Sequence, residues 1–456
     1  MTKTNHIHEQ LLSGFRLSPN PGQGEALAAL AAFLTDPGQH DGFILTGAAG
    51  SGKTSVIRSL IHYFYQSDID FSLAAPTGRA AQLAGKKANA PATTLHSLVF
   101  KVTVEDDPPM VFFQPKIPQK LTEPRYYVVD EASMIGGEVR NMGIFSQNRS
   151  LLEQLLLYVR GGHPASKIIF VGDTYQLPPV GADLSPALSA GFLRENFGFN
   201  ALTCHLEQVE RCKQDSYILA NAGRILEAIK TSGAAPAIRY QSTGSFSGGI
   251  KRYLTDFEND PFNQAVMIAW ANGQVNALNE WARNFRYQYR NRNAVIMPDE
   301  MMLCNQNTEL DSHMLFKGAH FVVKGTWKPE EFAGLHFINA EILFDGLNGD
   351  KGSAKTKILL ESVSSKDGSL TVEQERNLIH EAIKRNRRFR ETRQPKDDAF
   401  VNAVRARYGY ALTCHKAQGG EWKHVYLHPG YRPESLRWLY TAVTRAVEEL
   451  YSWQDK

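Results

Sequence analysis

Long apolar runs are missing from this chain of 456 residues. No stretch reaches the roughly 20 residues that a membrane-spanning helix needs, and the amino-terminal MTKTNHIHEQ carries no apolar centre of a secretory signal. These absences argue against a membrane partner and lead to the expectation of a cytoplasmic protein. Cysteine is scarce: four residues, Cys204, Cys212, Cys304 and Cys414, lie scattered without the spacing of a metal site. Free thiols in a reducing compartment are expected. An excess of one charge is missing as well, since 50 Lys and Arg against 47 Asp and Glu leave a net +3. A polyanion would have to be held by local basic and aromatic groups, because the global field is weak. Tandem repeats and low-complexity tracts do not occur.

What is present describes a globular protein, with 43% apolar and 21% charged residues. Its length calls for two or three domains. The segment GFILTGAAGSGKTSVIRSLIHYF reads as strand, glycine-rich loop and helix, and Gly47, Ala48, Ala49, Gly50, Ser51, Gly52, Lys53 and Thr54 fit G-x-x-x-x-G-K-T in register. Glycines let backbone N–H groups approach phosphates at a helix N-terminus. Lys53 is expected to reach the β- and γ-phosphates of ATP, and Thr54 to hold Mg²⁺. A second strand, Tyr126 to Val129, delivers Asp130 and Glu131 at its carboxyl end, where open α/β sheets place ligands. Asp130 suits the Mg²⁺ shell and Glu131 the activation of water. The alternative for such a pair is a helix cap. In a third stretch, KIIFVGDTYQLPPVG, an apolar strand runs into Asp173 and Gln176 before Pro178 and Pro179. If the three strands share one parallel sheet, the Gln176 amide lies near the γ-phosphate and the prolines pass its movement on rigidly. Otherwise the stretch is a proline-stiffened surface turn.

The later half carries further patterns. ARYGYALTCHKAQGGEWKHVYL (Ala406 to Leu427) holds two strand-like runs around a turn, and RWLYTAVTRAVEELYSW reads as a helix with Leu439, Val443 and Leu450 on one side. Arg445 stands there among the small residues Ala442, Thr444 and Ala446, so its guanidinium could reach a phosphate across a cleft. KVTVEDDPPMVFFQPKIPQ, residues 101–119, reads as a β-hairpin that displays Phe112 and Phe113. KGAHFVVKGTW, HFINAEILFDG and AKTKILLESV look like short strands joined by Gly-rich turns. TVEQERNLIHEAIKRNRRFRETR is a helix with a dense basic end, Lys384 to Arg393, which is either a solvated face or a nucleic-acid contact.

In order along the chain, NPGQGEAL, GAAGSGKT, AAPTGRAA, TTLHSL, VVDEASM, VGDTYQLPPVG, LEQVERCKQDS, IAWANGQVNALN, LTCHKAQGGE and LYTAVTRA make the sequence resemble superfamily 1 DNA helicases of the RecD/Dda-like, 5′→3′ branch. The resemblance implies an α/β fold with two RecA-like P-loop NTPase domains in tandem. Residues 1–100 and 120–195 would form the first, interrupted by the hairpin of 101–119. Residues 196–298 and 405–456 would form the second, interrupted at 299–404 by an SH3-like β-barrel and the basic helix. Asn339 is followed by Ala340 where the family commonly has glycine, which bears on the barrel's turns. The resemblance implies an adenine-reading role for Gln23, phosphate-sensing fingers at Arg211 and Arg445, and γ-phosphate and ribose contacts at Gly419 and Glu421. Thr77, Arg79, Thr94, His96, Asn272, Thr413, His415 and Lys416 would line a single-strand track through contacts to phosphate and sugar. His96 has the alternative of local packing. Phe112 or Phe113 would act as a fork pin, or else pack the hairpin to its own domain. The implied activity is an ATP- and Mg²⁺-dependent DNA helicase, a monomer acting on single-stranded DNA and forks, with a single-strand-binding protein as a candidate partner. A translocase without useful unwinding, or a nucleotide-gated binding switch, are the rival classes.

Overall fold

The computed structural model describes residues 2–15, 18–106, 109–139, 145–146, 149–208, 216–288, 294–311, 313–346, 351–365 and 368–454. The chain divides into two compact units. The first comprises Met1–Lys101, Pro115–Arg140 and Asn148–Asp215; the second comprises Val102–Gln114, Asn141–Gln147 and Ser216–Lys456.

The first unit is built on a six-stranded sheet in the order Ala92–Thr94, Phe71–Ala75, Tyr126–Val129, Lys167–Gly172, Gly42–Gly47, Ala201–Leu206. Every neighbouring pair is parallel. Parallel strands covered by helices on both faces read as continuous apolar runs, and all six residues of Lys167–Gly172 are buried. Lys167 is the polar exception. Its ammonium donates to the carbonyls of Phe33 and Asp36, both at 3.1 Å, and lies over the Phe33 ring. The three strands read as site-bearing are adjacent here, with Val129 opposite Phe170 and Thr46 opposite Gly172. One edge of the sheet therefore gathers Gly47, Asp130 and Asp173. The strand Ala201–Leu206 was expected in the second sheet from the boundary at 196. It instead pairs with Gly42–Gly47 along its full length, because the chain after helix Ala190–Phe197 returns to the open edge of the same sheet.

The second unit holds a five-stranded parallel sheet, ordered Gln241–Ser242, Ala446–Ser452, Trp422–Leu427, Ala265–Ala269, Ala411–Thr413. Beside it stands a closed barrel of Glu300–Cys304, His320–Phe332, Leu335–Asp345, Lys351–Leu359 and Val404–Tyr408. Three of the barrel strands run 13, 11 and 9 residues, longer than the short strands expected. Asn339 donates to the carbonyl of Lys328 and to Glu330, next to a break in register at Trp327 and Pro329, while the methyl of Ala340 faces the barrel core.

Two helices expected from spacing are corrected. The helix read through Leu450 ends at Val443; Ala446–Ser452 is an inner strand with Leu450 opposite Val425. Val447, Leu450 and Tyr451 fit the helical period and Val447, Tyr451 and Trp453 the strand period, and pairing with two sheet neighbours decides for the strand. The basic helix is two, Val372–Arg385 and Arg387–Thr392, broken at Asn386. The hairpin consists of Phe100–Asp106 and Pro109–Pro115, with Phe145–Ser146 added as a third strand; its turn at 107–108 lies outside the described residues. Although inserted in the first half of the sequence, it folds with the second unit. Val104 and Val111 are buried with Phe337, Leu378, Ile379 and Phe389, and the Val104 N–H donates to the Arg393 carbonyl at 3.1 Å.

A buried polar network fastens the barrel to helix Asn272–Tyr287. Fully buried Glu300 accepts from Arg283 Nε at 3.1 and 3.0 Å and from the Tyr410 hydroxyl at 2.9 Å. Burial pushes its carboxyl pKa up, opposed by Arg283 and Tyr410. Removing one partner of such a pair leaves the other charge uncompensated. Glu300→Ala is expected to lower stability by about 3–5 kcal/mol in urea unfolding; a loss within about 0.5 kcal/mol, ordinary for surface sites, would deny the network that role.

Candidate nucleotide-binding site

Strand Gly42–Gly47 ends in the loop that opens helix Lys53–Gln66. Gly50 and Gly52 adopt φ of +79° and +91°, which side chains rarely tolerate. Lys53 Nζ donates to the carbonyls of Gly47 at 2.7 Å and Ala48 at 2.9 Å, so its charge lies over the loop. A Cβ on Gly52 would stand 2.2 Å from Gln23 Nε2, and one on Gly47 2.5 Å from Ser51 Oγ. Ser51 is fully buried, and its hydroxyl has no hydrogen-bond partner among the described residues. A glycine cradle, a lysine ammonium and an orphaned hydroxyl fit a polyphosphate. Lys53, Thr54 and the backbone N–H groups of Ala48 to Gly52 would hold it, and the Mg²⁺ expected from the sequence would fall to Thr54 and Asp130.

Gln23 is buried beneath this loop. Its amide nitrogen donates to the Ser51 carbonyl at 3.2 Å, while its oxygen accepts from Asn20 N at 3.1 Å. Asn20 in turn accepts from Gln23 N at 2.8 Å, completing a capping box for helix Pro21–Thr35. The Asn-x-x-Gln spacing was readable in the sequence, and this bracing role is one that the adenine-reading expectation missed.

At the neighbouring strand ends, Asp130 Oδ1 accepts from Glu131 N at 2.9 Å, and Glu131 holds φ of +52°. A non-glycine in the left-handed region is strained, and such strain concentrates at functional sites. Asp173 is 1% exposed and accepts from Tyr175 N at 2.9 Å; Gln176, also buried, follows on a bond from its N–H to the Asp173 carbonyl. Asp173 and Gln176 face inward here, while Thr174, Tyr175, Leu177 and Pro178 are half-buried and Val180 is exposed. His205, which sequence reasoning passed over, sits at the same edge with Nδ1 2.8 Å from Thr46 Oγ1.

The expected single-strand residues occupy both units. In the first, Thr77 caps helix Gly78–Ala88 by accepting from Ala80 N, and Thr94 caps Leu95–Val99 by accepting from Ser97 N. Arg79 is buried, and His96 lies 6.0 Å from the Phe100 ring. In the second, register sets Thr413 opposite Ala269, so Asn272, Thr413, His415 and Lys416 share the carboxyl edge of that sheet. His415, Lys416 and Asn272 are exposed. Beside them stands an aromatic group that sequence reasoning missed: Trp438 stacks on Tyr431 and lies 5.2 Å from half-buried Trp270, which Arg432 covers. Its members are separated by about 160 residues in sequence, so only the fold reveals it.

Arg445 is 4% exposed and sits at the joint between helix and strand, not inside a helix. It donates to the carbonyls of Gly420 and Thr441, both at 3.0 Å, and to Thr444 Oγ1 at 3.3 Å. Three of the five N–H donors of a guanidinium are thus in use, binding it to the Gly419–Glu421 loop. Arg211 lies outside the described residues. Phe112 and Phe113 are half-buried.

Comparisons with known proteins reach both units. The AAA domain family matches residues 18–225, and the UvrD-like helicase C-terminal domain family matches residues 408–451. The chain is similar to the ATP-dependent RecD2 DNA helicase of Deinococcus radiodurans, 26% identical over an alignment of 443 residues that covers 92% of this chain and 48% of that protein. It is similar also to the ATP-dependent DNA helicase dda of Enterobacteria phage T4, 29% identical over 171 residues, 37% of this chain and 34% of the other. Among solved structures, Pif1 helicase from Candida albicans aligns at a TM-score of 0.49 with 14% identity, covering 100% of this chain and 94% of that one. The chain spans about half or less of the length of the curated relatives it matches.

Gly52→Ala tests the cradle independently of any later step. A left-handed alanine costs about 1–2 kcal/mol, and its methyl would collide with Gln23. Titration with a fluorescent ATP analogue is expected to show affinity lowered at least about tenfold. Unchanged affinity would remove the loop from the binding site.

Proposed function

We propose, for a chain that belongs to the superfamily 1 helicases of the RecD/Pif1-like kind, an ATP-dependent DNA motor that moves 5′→3′ on single strands and parts the duplex. The observation that carries this reading is the convergence of Lys53, Thr54, Asp130, Glu131 and Gln176 on one sheet edge, fed by three adjacent parallel strands. Such an edge suits the hydrolysis of a nucleoside triphosphate, since phosphoryl transfer depends on positioning and charge.

The residues divide the work. Lys53 leaves its loop carbonyls for the β- and γ-phosphates. Thr54 and Asp130 hold Mg²⁺, which when bound neutralises charge developing on the phosphates. Glu131 orients water for attack, and Gln176 bonds to the γ-phosphate or that water and loses the bond on hydrolysis. Arg445 and Arg211 act as fingers on the γ-phosphate, with Gly419 and Glu421 beside it and Gln23 at the adenine. Two RecA-like domains then close and reopen around each nucleotide. Thr77, Arg79, Thr94 and His96 grip the strand from one domain, and Asn272, Thr413, His415 and Lys416 from the other. Opening a base pair costs on average about 1.4 kcal/mol, so the demand falls on coupling rather than on supply. Monomeric action and a single-strand-binding partner belong to the same reading.

The half-burial of Phe112 and Phe113 favours one second reading, a translocase that moves along single strands without useful unwinding. The deciding experiment uses duplexes with a 5′ or a 3′ single-stranded tail, with ATP or a non-hydrolysable analogue. Strand separation from the 5′ tail only, with ATP only, is expected. Separation from the 3′ tail would reverse the polarity, and movement without separation would select the second reading. Arg445→Ala should retain nucleotide binding while DNA-stimulated phosphate release falls by about 10³-fold, the scale of an arginine finger; full activity in this variant would exclude Arg445 from that role.

A further inference from the structure

The basic segment following the barrel is not used by the site described above. Between Lys384 and Arg393 six of ten residues are Lys or Arg and one is acidic, a local excess in a nearly neutral chain. The fold holds this segment in place rather than leaving it as a loose tail. Phe389 is fully buried in the core shared with Val104 and Val111 of the hairpin. Asn386 accepts from Phe389 N at 3.1 Å and donates to the Asp397 carbonyl and to Asp398 at 2.8 and 2.9 Å. Arg393 closes the short helix at φ +56°, and its carbonyl receives the Val104 N–H. The cations stand outward on this support, with the side chain of Arg387 84% exposed, Arg388 77% and Lys384 58%. The pairs of Arg387 with Glu391 and of Lys384 with Glu381 are of the exposed kind that contributes little and exchanges readily for phosphate, whereas Arg388 pairs with the buried carboxylate of Asp397.

The chemistry of the surface selects its ligand. Single strands are held largely by stacking on open aromatic faces, and the rings here are not open. Phe389 and Phe400 are buried; Phe332 stacks on Phe400 at 4.5 Å, with the Arg385 guanidinium over both and Lys357 over Phe400. What remains outward is positive charge without ring faces, which suits a duplex whose base faces are stacked away and whose backbone presents phosphates. We propose that Lys384, Arg387, Arg388 and Arg390 form a docking platform for the phosphates of double-stranded DNA, carried on the same core as the hairpin. This rests on the DNA-motor reading for its biological sense, but its binding test does not.

The test uses the full chain with Lys384→Gln, Arg387→Gln and Arg390→Gln combined. Arg388 is kept because Asp397 beneath it is buried. Binding to a blunt duplex and to oligo(dT) is followed by fluorescence anisotropy over a range of salt. Each lost phosphate contact lowers the salt slope by about 0.9 on duplex, so a fall of about 2–3 is expected, together with at least tenfold weaker duplex binding. Oligo(dT) binding and oligo(dT)-stimulated ATP hydrolysis are expected to stay within twofold, and an unchanged unfolding midpoint confirms the fold. Unaltered duplex binding overturns the platform. Equal losses on duplex and oligo(dT) overturn it too, and so does a loss confined to an acidic polypeptide such as poly-glutamate. Should the wild-type chain show no DNA-stimulated hydrolysis while the variant still loses duplex binding, the motor reading fails and the platform stands.

Discussion

The ammonium of Lys53 bonded to the carbonyls of Gly47 and Ala48 is the interaction on which the rest depends. It places a full positive charge over a loop whose glycines keep side chains away and whose N–H groups open a helix. Carbonyl oxygens carry only partial charge, so phosphate oxygens compete for this lysine on favourable terms. The loop does not stand unsupported. Gln23 braces it from below through the Ser51 carbonyl while completing the cap of its own helix, so the shape of the cradle and the start of the first large helix are one arrangement.

In the second unit the comparable joint is Arg445. Its bonds to Gly420 and Thr441 tie its guanidinium to the Gly419–Glu421 loop and to the end of helix Leu436–Val443. A pull on that guanidinium is therefore transmitted to the strand Trp422–Leu427, which begins at the next residue but one after Gly420. The Glu300 network joins the barrel to helix Asn272–Tyr287, and the core around Phe337 and Phe389 joins the barrel to the hairpin and the basic segment.

Much of this was readable beforehand, for physical reasons. The strands Tyr126–Val129 and Lys167–Gly172 announced themselves because strands buried on both faces are uniformly apolar, and the turn after Gly47 because its glycines stand between a strand and a helix. The failures share a cause. Leu439, Val443 and Leu450 suited a helix by spacing, yet the pairing of Ala446–Ser452 with two neighbours, invisible in local sequence, overrode it. Ala201–Leu206 was misassigned for the same reason: a strand is defined by its partner, and its partner lies about 160 residues away. Thr77 and Thr94, expected as single-strand contacts, are helix caps here, since a hydroxyl after a strand is a good helix cap. The Trp270, Trp438 and Tyr431 stack could not be read from sequence at all.

The account stands or falls on whether filling the nucleotide cradle is felt by a nucleic-acid strand. The most direct measurement is the rate of phosphate release from ATP with and without saturating single-stranded DNA. The account predicts a stimulation of at least about tenfold, a barrier lowered by about 1.4 kcal/mol. An identical rate in both conditions, at full occupancy by nucleotide and DNA, would contradict it.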